Sequence, residues 1–246
     1  MADLTKAYIS QAIFISSTSH NDRVRYRQED AENIFGSLFG SQSQQTNIPD
    51  ELDASAPRLI FQSAHKQFLI SKNSAQLVLG FQNADKPLKT QTDVIRENVL
   101  KVAKKVYEFG EVTGELGLVV TFNLPRTEPR TELSKKIYDK FLRTPAYGTL
   151  ASSSFKVGFE TEQKLYLNLE VDVYEMRRGV FNKTHVDVQN IDFSKLEVQE
   201  TGFSFKVDIN NKPRFGSHES YITEVELVMR SLDEFISTRL EDHVKL

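Results

Sequence analysis

The sequence predicts an α+β fold in which one antiparallel sheet carries helices on a single face, and two observations predict it. The order strand, helix, three strands, long helix occurs twice along the 246 residues. The clearest strands also alternate apolar and polar residues, the pattern of a sheet covered on one side only. In LYLNLEVDVYEMRR, Leu165, Leu167, Leu169, Val171 and Val173 share one face, while Tyr166, Asn168, Glu170, Asp172 and Tyr174 share the other.

Taken in order, Tyr8 to Ser16 is apolar and β-branched enough for a strand. The polar SSTSHNDRVRYRQ leads into a helix over Glu29 to Phe39, where Ile34 with Leu38 and Phe35 with Phe39 are spaced four apart in one apolar stripe. GSQSQQTNIPDELDASAP, rich in Ser, Gln and Asp and ending in proline, reads as a mobile loop. Three short antiparallel strands follow in RLIFQSAH, KQFLISK and SAQLVLGF, with a turn at Lys72-Asn73-Ser74 between the last two. From Thr92 the period lengthens to that of a helix. Ile95, Val99, Val102, Val106 and Phe109 form its buried stripe, Thr92 or Asp93 its cap, and Gly110 its stop.

The second half repeats the order. ELGLVVTFNLP is a strand, and Pro129-Arg130-Thr131-Glu132 opens a helix marked by Leu133, Ile137 and Phe141, with Tyr138 and Leu142. Three strands follow in GTLASSSFKVGFETEQ, KLYLNLEVDVYEMRR and EVQETGFSFKVDIN, the last two separated by the long connection GVFNKTHVDVQNIDFSKL with a short strand of its own. A terminal helix runs from Ser220 to Val244, capped by Ser217 or Ser220. Read as an internal duplication, the units cover residues 1–112 and 113–246 and share one continuous sheet.

Composition bounds the function. The chain has no cysteine, which excludes a disulfide framework, thiolate catalysis and thiolate zinc sites. MADLTKAYISQAIFISS has no basic leader or cleavage site, and nowhere do 18 apolar residues run together, so the cytoplasm is the expected address and no membrane partner is expected. The net charge is −3, and residues 1–112 hold 13 of the 31 basic and 13 of the 34 acidic side chains, so neither half has the basic excess of a nucleic-acid binder. There is no phosphate loop, dinucleotide fingerprint, H-E-x-x-H or nucleophile elbow. The five histidines are scattered, and His185 with Asp187 or His218 with Glu219 are the nearest approach to a metal pair. No metal, cofactor or catalytic residue is expected.

On the uncovered face, Tyr166, Asn168, Glu170, Asp172 and Tyr174 stand beside Lys156, Lys206 and Asp208. A surface of this kind is a solvated sheet, or it binds a protein partner or a second copy of the chain, since tyrosines are enriched at interfaces. Carboxylates on a flat sheet lack the burial that prepares them for catalysis. The alternative is a nucleic-acid contact through Arg23, Arg25 and Arg27 with Arg177 and Arg178, opposed by the adjacent Glu29, Asp30 and Glu32. A pocket between sheet and helices, enzymatic or ligand-binding, is the third class. SSTSHNDR resembles a triad in composition alone, because triad members meet by folding.

The unit met twice resembles the duplicated architecture of the TATA-binding-protein-like fold. That resemblance implies DNA on the uncovered face, held by basic side chains and inserted phenylalanines. Here that face carries Glu170, Asp172 and Asp208, with its phenylalanines turned inward, so the DNA function is not carried over. RLIFQSAHKQFLIS before the first long helix and FSFKVDINNKPRF before the terminal one are similar to a sporadically distributed bacterial family of comparable chain length and uncharacterised role, a resemblance that implies no activity.

Overall fold

Alternating side chains decide which face each of the longer strands buries. The computed structural model describes residues 6–82, 86–110, 112–142, 147–179, 192, 195–215 and 220–244. Its strands are β1 (Tyr8–Thr18), β2 (Gln44–Gln45), β3 (Leu59–Ser63), β4 (Lys66–Ile70), β5 (Ser74–Gly80), β6 (Val112–Arg126), β7 (Phe155–Glu160), β8 (Tyr166–Arg178) and β9 (Glu197–Asn210). They form one antiparallel sheet in the order β2-β3-β4-β5-β1-β6-β9-β8-β7. The five strands β1–β5 are joined to the four strands β6–β9 through β1 and β6, where Phe14 lies opposite Leu118 and Ala12 opposite Val120. Residues 1–112 and 113–246 therefore contribute to one sheet.

The register carries a single apolar layer across the molecule. Phe68, Leu77, Phe14, Leu118 and Ile209 stand side by side, as do Leu79, Ala12, Val120, Val207 and Leu169. The helices α1 (Gln28–Phe39), α2 (Leu88–Phe109), α3 (Arg130–Phe141) and α4 (Tyr221–Glu234) cover this face. Phe35 and Phe39 of α1 lie on Phe61 and Phe68. Ile95, Val99, Val102 and Val106 of α2, Leu133 and Ile137 of α3, and Val225, Val228 and Leu232 of α4 are buried. Each such side chain contributes roughly 1.5–3 kcal/mol on full burial.

Four details differ from the sequence expectation. First, α2 begins at Leu88 behind Pro87, a turn before Thr92. Its opening turn is hidden because a buried position holds the polar Gln91, whose Oε1 accepts the Ile9 N–H at 2.6 Å and whose Nε2 donates to the Lys86 carbonyl at 2.7 Å. Ile9 needs this partner because β1 has a bulge between Ile9 and Gln11.

Second, the segment read as a mobile loop is folded around one arginine. Arg58 is fully buried and donates to the carbonyls of Ala56, Leu52, Asp53 and Pro49 at 2.7, 3.1, 3.2 and 3.3 Å, and to the Asp50 carboxylate at 3.2 Å. Lys72 adds a 2.8 Å bond to the Asp50 carbonyl. These donors add to the turn bonds from the Leu52 and Ala56 N–H groups and so occupy the backbone acceptors of the stretch that follows β2.

Third, β7 is confined to Phe155–Glu160 within the longer stretch GTLASSSFKVGFETEQ. Fourth, the terminal helix is interrupted. Ser220 accepts the Thr223 N–H as its cap, and after α4 a π-helical turn over Phe235–Arg239 precedes α5 (Leu240–Val244), with the Ser237 and Thr238 hydroxyls bonded to the Glu234 carbonyl. The short strand expected in the connection 179–196 falls on residues 180–191 and 193–194, outside the described residues, as do His185, Asp187, Ser217, His218 and Glu219.

Candidate binding face

Since the described helices share one side of the sheet, the other side is built from the remaining alternate residues. Cross-strand register sets them in rows. One row runs Gln67, Val78, Ile13, Val119, Asp208, Asn168, Gly158. The next runs Ile60, Leu69, Gln76, Ile15, Gly117, Asn210, Tyr166, Glu160. A third holds Gln11, Thr121, Lys206, Glu170 and Lys156.

The face is thus divided. Its second half is polar, and there the residues predicted from the sequence come together as expected: Tyr166, Asn168, Glu170, Asp172 and Tyr174 line the outward side of β8. Most of their polar groups are occupied by neighbours. Asn168 and Asn210 both donate to Asp208, each at 3.2 Å. Lys156 approaches Glu170 at 3.9 Å, and one Asp172 oxygen accepts the Val173 N–H at 2.7 Å. Tyr174 is half-buried along that face and donates to Glu200 Oε1 at 2.6 Å, the oxygen that also takes the Tyr8 phenol at 2.8 Å. Burial pushes both phenols above their ordinary pKa, and the shared carboxylate adds to the effect.

The first half is aliphatic. Ile13, Ile60, Leu69, Val78 and Val119 are half-buried, and Ile15 is 38% exposed. Val78, Ile13 and Val119 are direct neighbours, Ile60 and Leu69 are paired, and Leu69 meets Val78 on the diagonal. Sequence reasoning overlooked this patch, although its signal was present. IFI, LIF, FLI and LVV are continuous apolar runs, the mark of strands whose two faces are both apolar. The strands of the second half alternate cleanly by comparison.

The arginines of the nucleic-acid alternative are not assembled into one surface. Arg23, Arg25 and Arg27 follow the Thr18 end of β1, whereas Arg177 and Arg178 pair with Val198 and Glu197 beyond the Tyr8 end of the sheet. Arg25 bonds the Ile48 carbonyl and pairs with Asp50 at 3.2 Å. Arg27 lies 4.1 Å over the Phe109 ring, pairs with Asp30 and donates to the Phe109 carbonyl at 2.7 Å. Arg177 pairs with Glu175 at 2.6 Å, while Arg23 and Arg178 are exposed.

Beside Arg27 lies a cavity of about 300 Å³ floored by Val24, Phe35, Val106 and Phe109, with His20 on its rim. The Ser-His-Asp grouping does not form a triad there. Ser16 is buried and takes the Tyr221 phenol at 2.9 Å, while Asp22 joins His20 at 3.1 Å and Lys72 at 2.7 Å. Lys72 and His20 hold the Asp22 carboxyl below its ordinary pKa. Among the described residues, no group of three His, Asp or Glu side chains is placed to hold a metal, and no helix is long and apolar enough to cross a membrane.

Comparison of the chain with protein-family models, with curated proteins and with solved structures finds no match.

Proposed function

We propose that this chain is a non-catalytic binding protein of the cytoplasm that takes a protein partner on the uncovered face of its sheet. The observation that carries this reading is the set of six adjacent aliphatic side chains, Ile13, Ile15, Ile60, Leu69, Val78 and Val119, on a face without helices among the described residues. A contiguous apolar patch with a polar margin is the anatomy of an interaction site. Each aliphatic side chain sealed from water by a partner adds on the order of 1 kcal/mol. The polar half, with Tyr166, Glu170, Asp172, Lys156 and Lys206, then serves as the margin that orients the partner.

The test replaces Ile15 with Asp and Val119 with Lys together. These side chains point away from the helices, so circular dichroism should retain the wild-type spectrum. Binding of a hydrophobic dye, and of any protein cross-linked to the wild-type chain, should be lost. A partner that remains bound to the double variant would overturn the reading.

A further inference from the structure

The two ends of the sheet are finished differently. At one end β2 pairs with β3, and the helix-side residues Leu59 and Phe61 of β3 are fully buried beneath α1. At the other end β7 has β8 on one side, and among the described residues no strand pairs with its outer edge. Its helix-side residues are poorly covered. Phe155 stacks on Phe141 of α3 at 4.1 Å, but Val157 is half-buried and Phe159 is 47% exposed. The usual guards of an edge are sparse, since β7 has neither proline nor bulge and only one lysine.

The geometry points to β7 as a self-pairing edge, at which a second copy of this chain adds its own β7 antiparallel and joins two sheets into one. In an antiparallel pair, opposed residues must share a face, so the two residue numbers sum to an even total. With Gly158 on the two-fold axis, Lys156 of each copy stands opposite Glu160 of the other on the open face, and Val157 stands opposite Phe159 on the helix face. The axis position carries no side chain. A Cβ at Gly158 would lie 2.6 Å from Asn168 Oδ1, so the residue is small for a reason within its own copy as well. Moving the axis to Val157 places Lys156 opposite Gly158 and forfeits both ion pairs, so charge complementarity selects the Gly158 register. Inside one copy, Glu160 meets Lys164 at 2.9 Å and Lys156 meets Glu170 at 3.9 Å, both exposed contacts that bind weakly.

Light scattering coupled to size exclusion should find a dimer for the wild type. Lys156→Glu and Glu160→Lys should each weaken it by about tenfold or more, because each sets like charges opposite one another twice. The double charge exchange K156E/E160K should restore it, an outcome that a merely structural role for either residue does not produce. The register has its own readout. Since the chain has no cysteine, K156C/E160C should form a reducible covalent dimer on mild oxidation. The proposal falls if the wild type stays monomeric at about 100 μM, where a dimer of micromolar affinity is populated. It also falls if the double exchange is no better than the single changes, or if the cysteine variant does not cross-link. This edge is separate from the aliphatic patch, and the Ile15 and Val119 substitutions leave it intact, so the two readings fail independently.

Discussion

Tyr174 and Glu200 are joined across β8 and β9 by a 2.6 Å hydrogen bond to the carboxylate oxygen that also receives the phenol of Tyr8, in β1. Three strands are thereby tied at one end of the sheet, and Asn123 of β6 joins them by donating to the Tyr8 oxygen at 3.1 Å. Tyr174→Phe or Tyr8→Phe alone should cost about 1 kcal/mol, since Glu200 keeps one phenol donor. The double variant should exceed the sum by about 0.5 kcal/mol or more, because it removes both. Urea unfolding of the four proteins measures the coupling.

Gly202 lies under the Tyr174 ring. A Cβ there would overlap the Leu124 carbonyl oxygen of β6 and come 2.8 Å from Tyr174 Cε1, and backbone cannot yield as a flexible side chain can. Gly202→Ala should therefore destabilise by about 1–3 kcal/mol. Gly148→Ala, with nothing within 4 Å of its added carbon, is the neutral control. Thermal unfolding distinguishes the two.

Burial pushes the Tyr221 phenol up to about 12, against an ordinary value of 10.0, with the bond to Ser16 partly offsetting the rise. A raised folded pKa means that the stabilisation is complete below pH 10 and is lost as pH rises towards 12. At about 1.4 kcal/mol per unit, the loss approaches 3 kcal/mol. Tyr221→Phe should lower stability by about 1 kcal/mol at neutral pH by stranding the Ser16 hydroxyl, and should flatten the decline between pH 10 and 12. Denaturant midpoints across that range check both.

Arg58→Met keeps much of the side-chain length but removes the guanidinium donors from the Pro49, Leu52, Asp53 and Ala56 carbonyls. The Leu52 and Ala56 carbonyls each lose a donor and the Asp50 carboxylate loses one of its two arginines, at about 1 kcal/mol apiece, so the loss should total on the order of 2–4 kcal/mol. Limited proteolysis should show new cleavage within 44–57, while the Arg25→Met chain, which retains Arg58, should be cut more slowly.

Period and punctuation made most of the fold legible. Leu165 to Val173 and Phe203 to Ile209 alternate because one side is wet and the other dry, and both lie as their pattern requires. Gln91 and Arg58 escaped notice because a buried polar residue shows its purpose only when the distant backbone it serves is in place. The acidic and aromatic side of β8 was legible as a surface, and its tyrosines and acids were brought together as anticipated. Its cross-strand satisfaction was not, because Asn168 and Asp208 are forty residues apart. The aliphatic patch was obscured for a different reason. A run such as Leu118-Val119-Val120 discloses two apolar faces without stating whether the second is covered.

The central place of β1 governs the order in which this chain can acquire structure. Both neighbours of β1, β5 and β6, are synthesised many tens of residues after it, so its hydrogen-bonding groups must wait for distant partners. Closing such large loops sacrifices chain entropy before any compensating contact exists, which slows folding relative to a chain of local contacts. During that interval IFI and its counterparts stand as unpaired apolar ribbons, the kind of exposed segment from which aggregation starts.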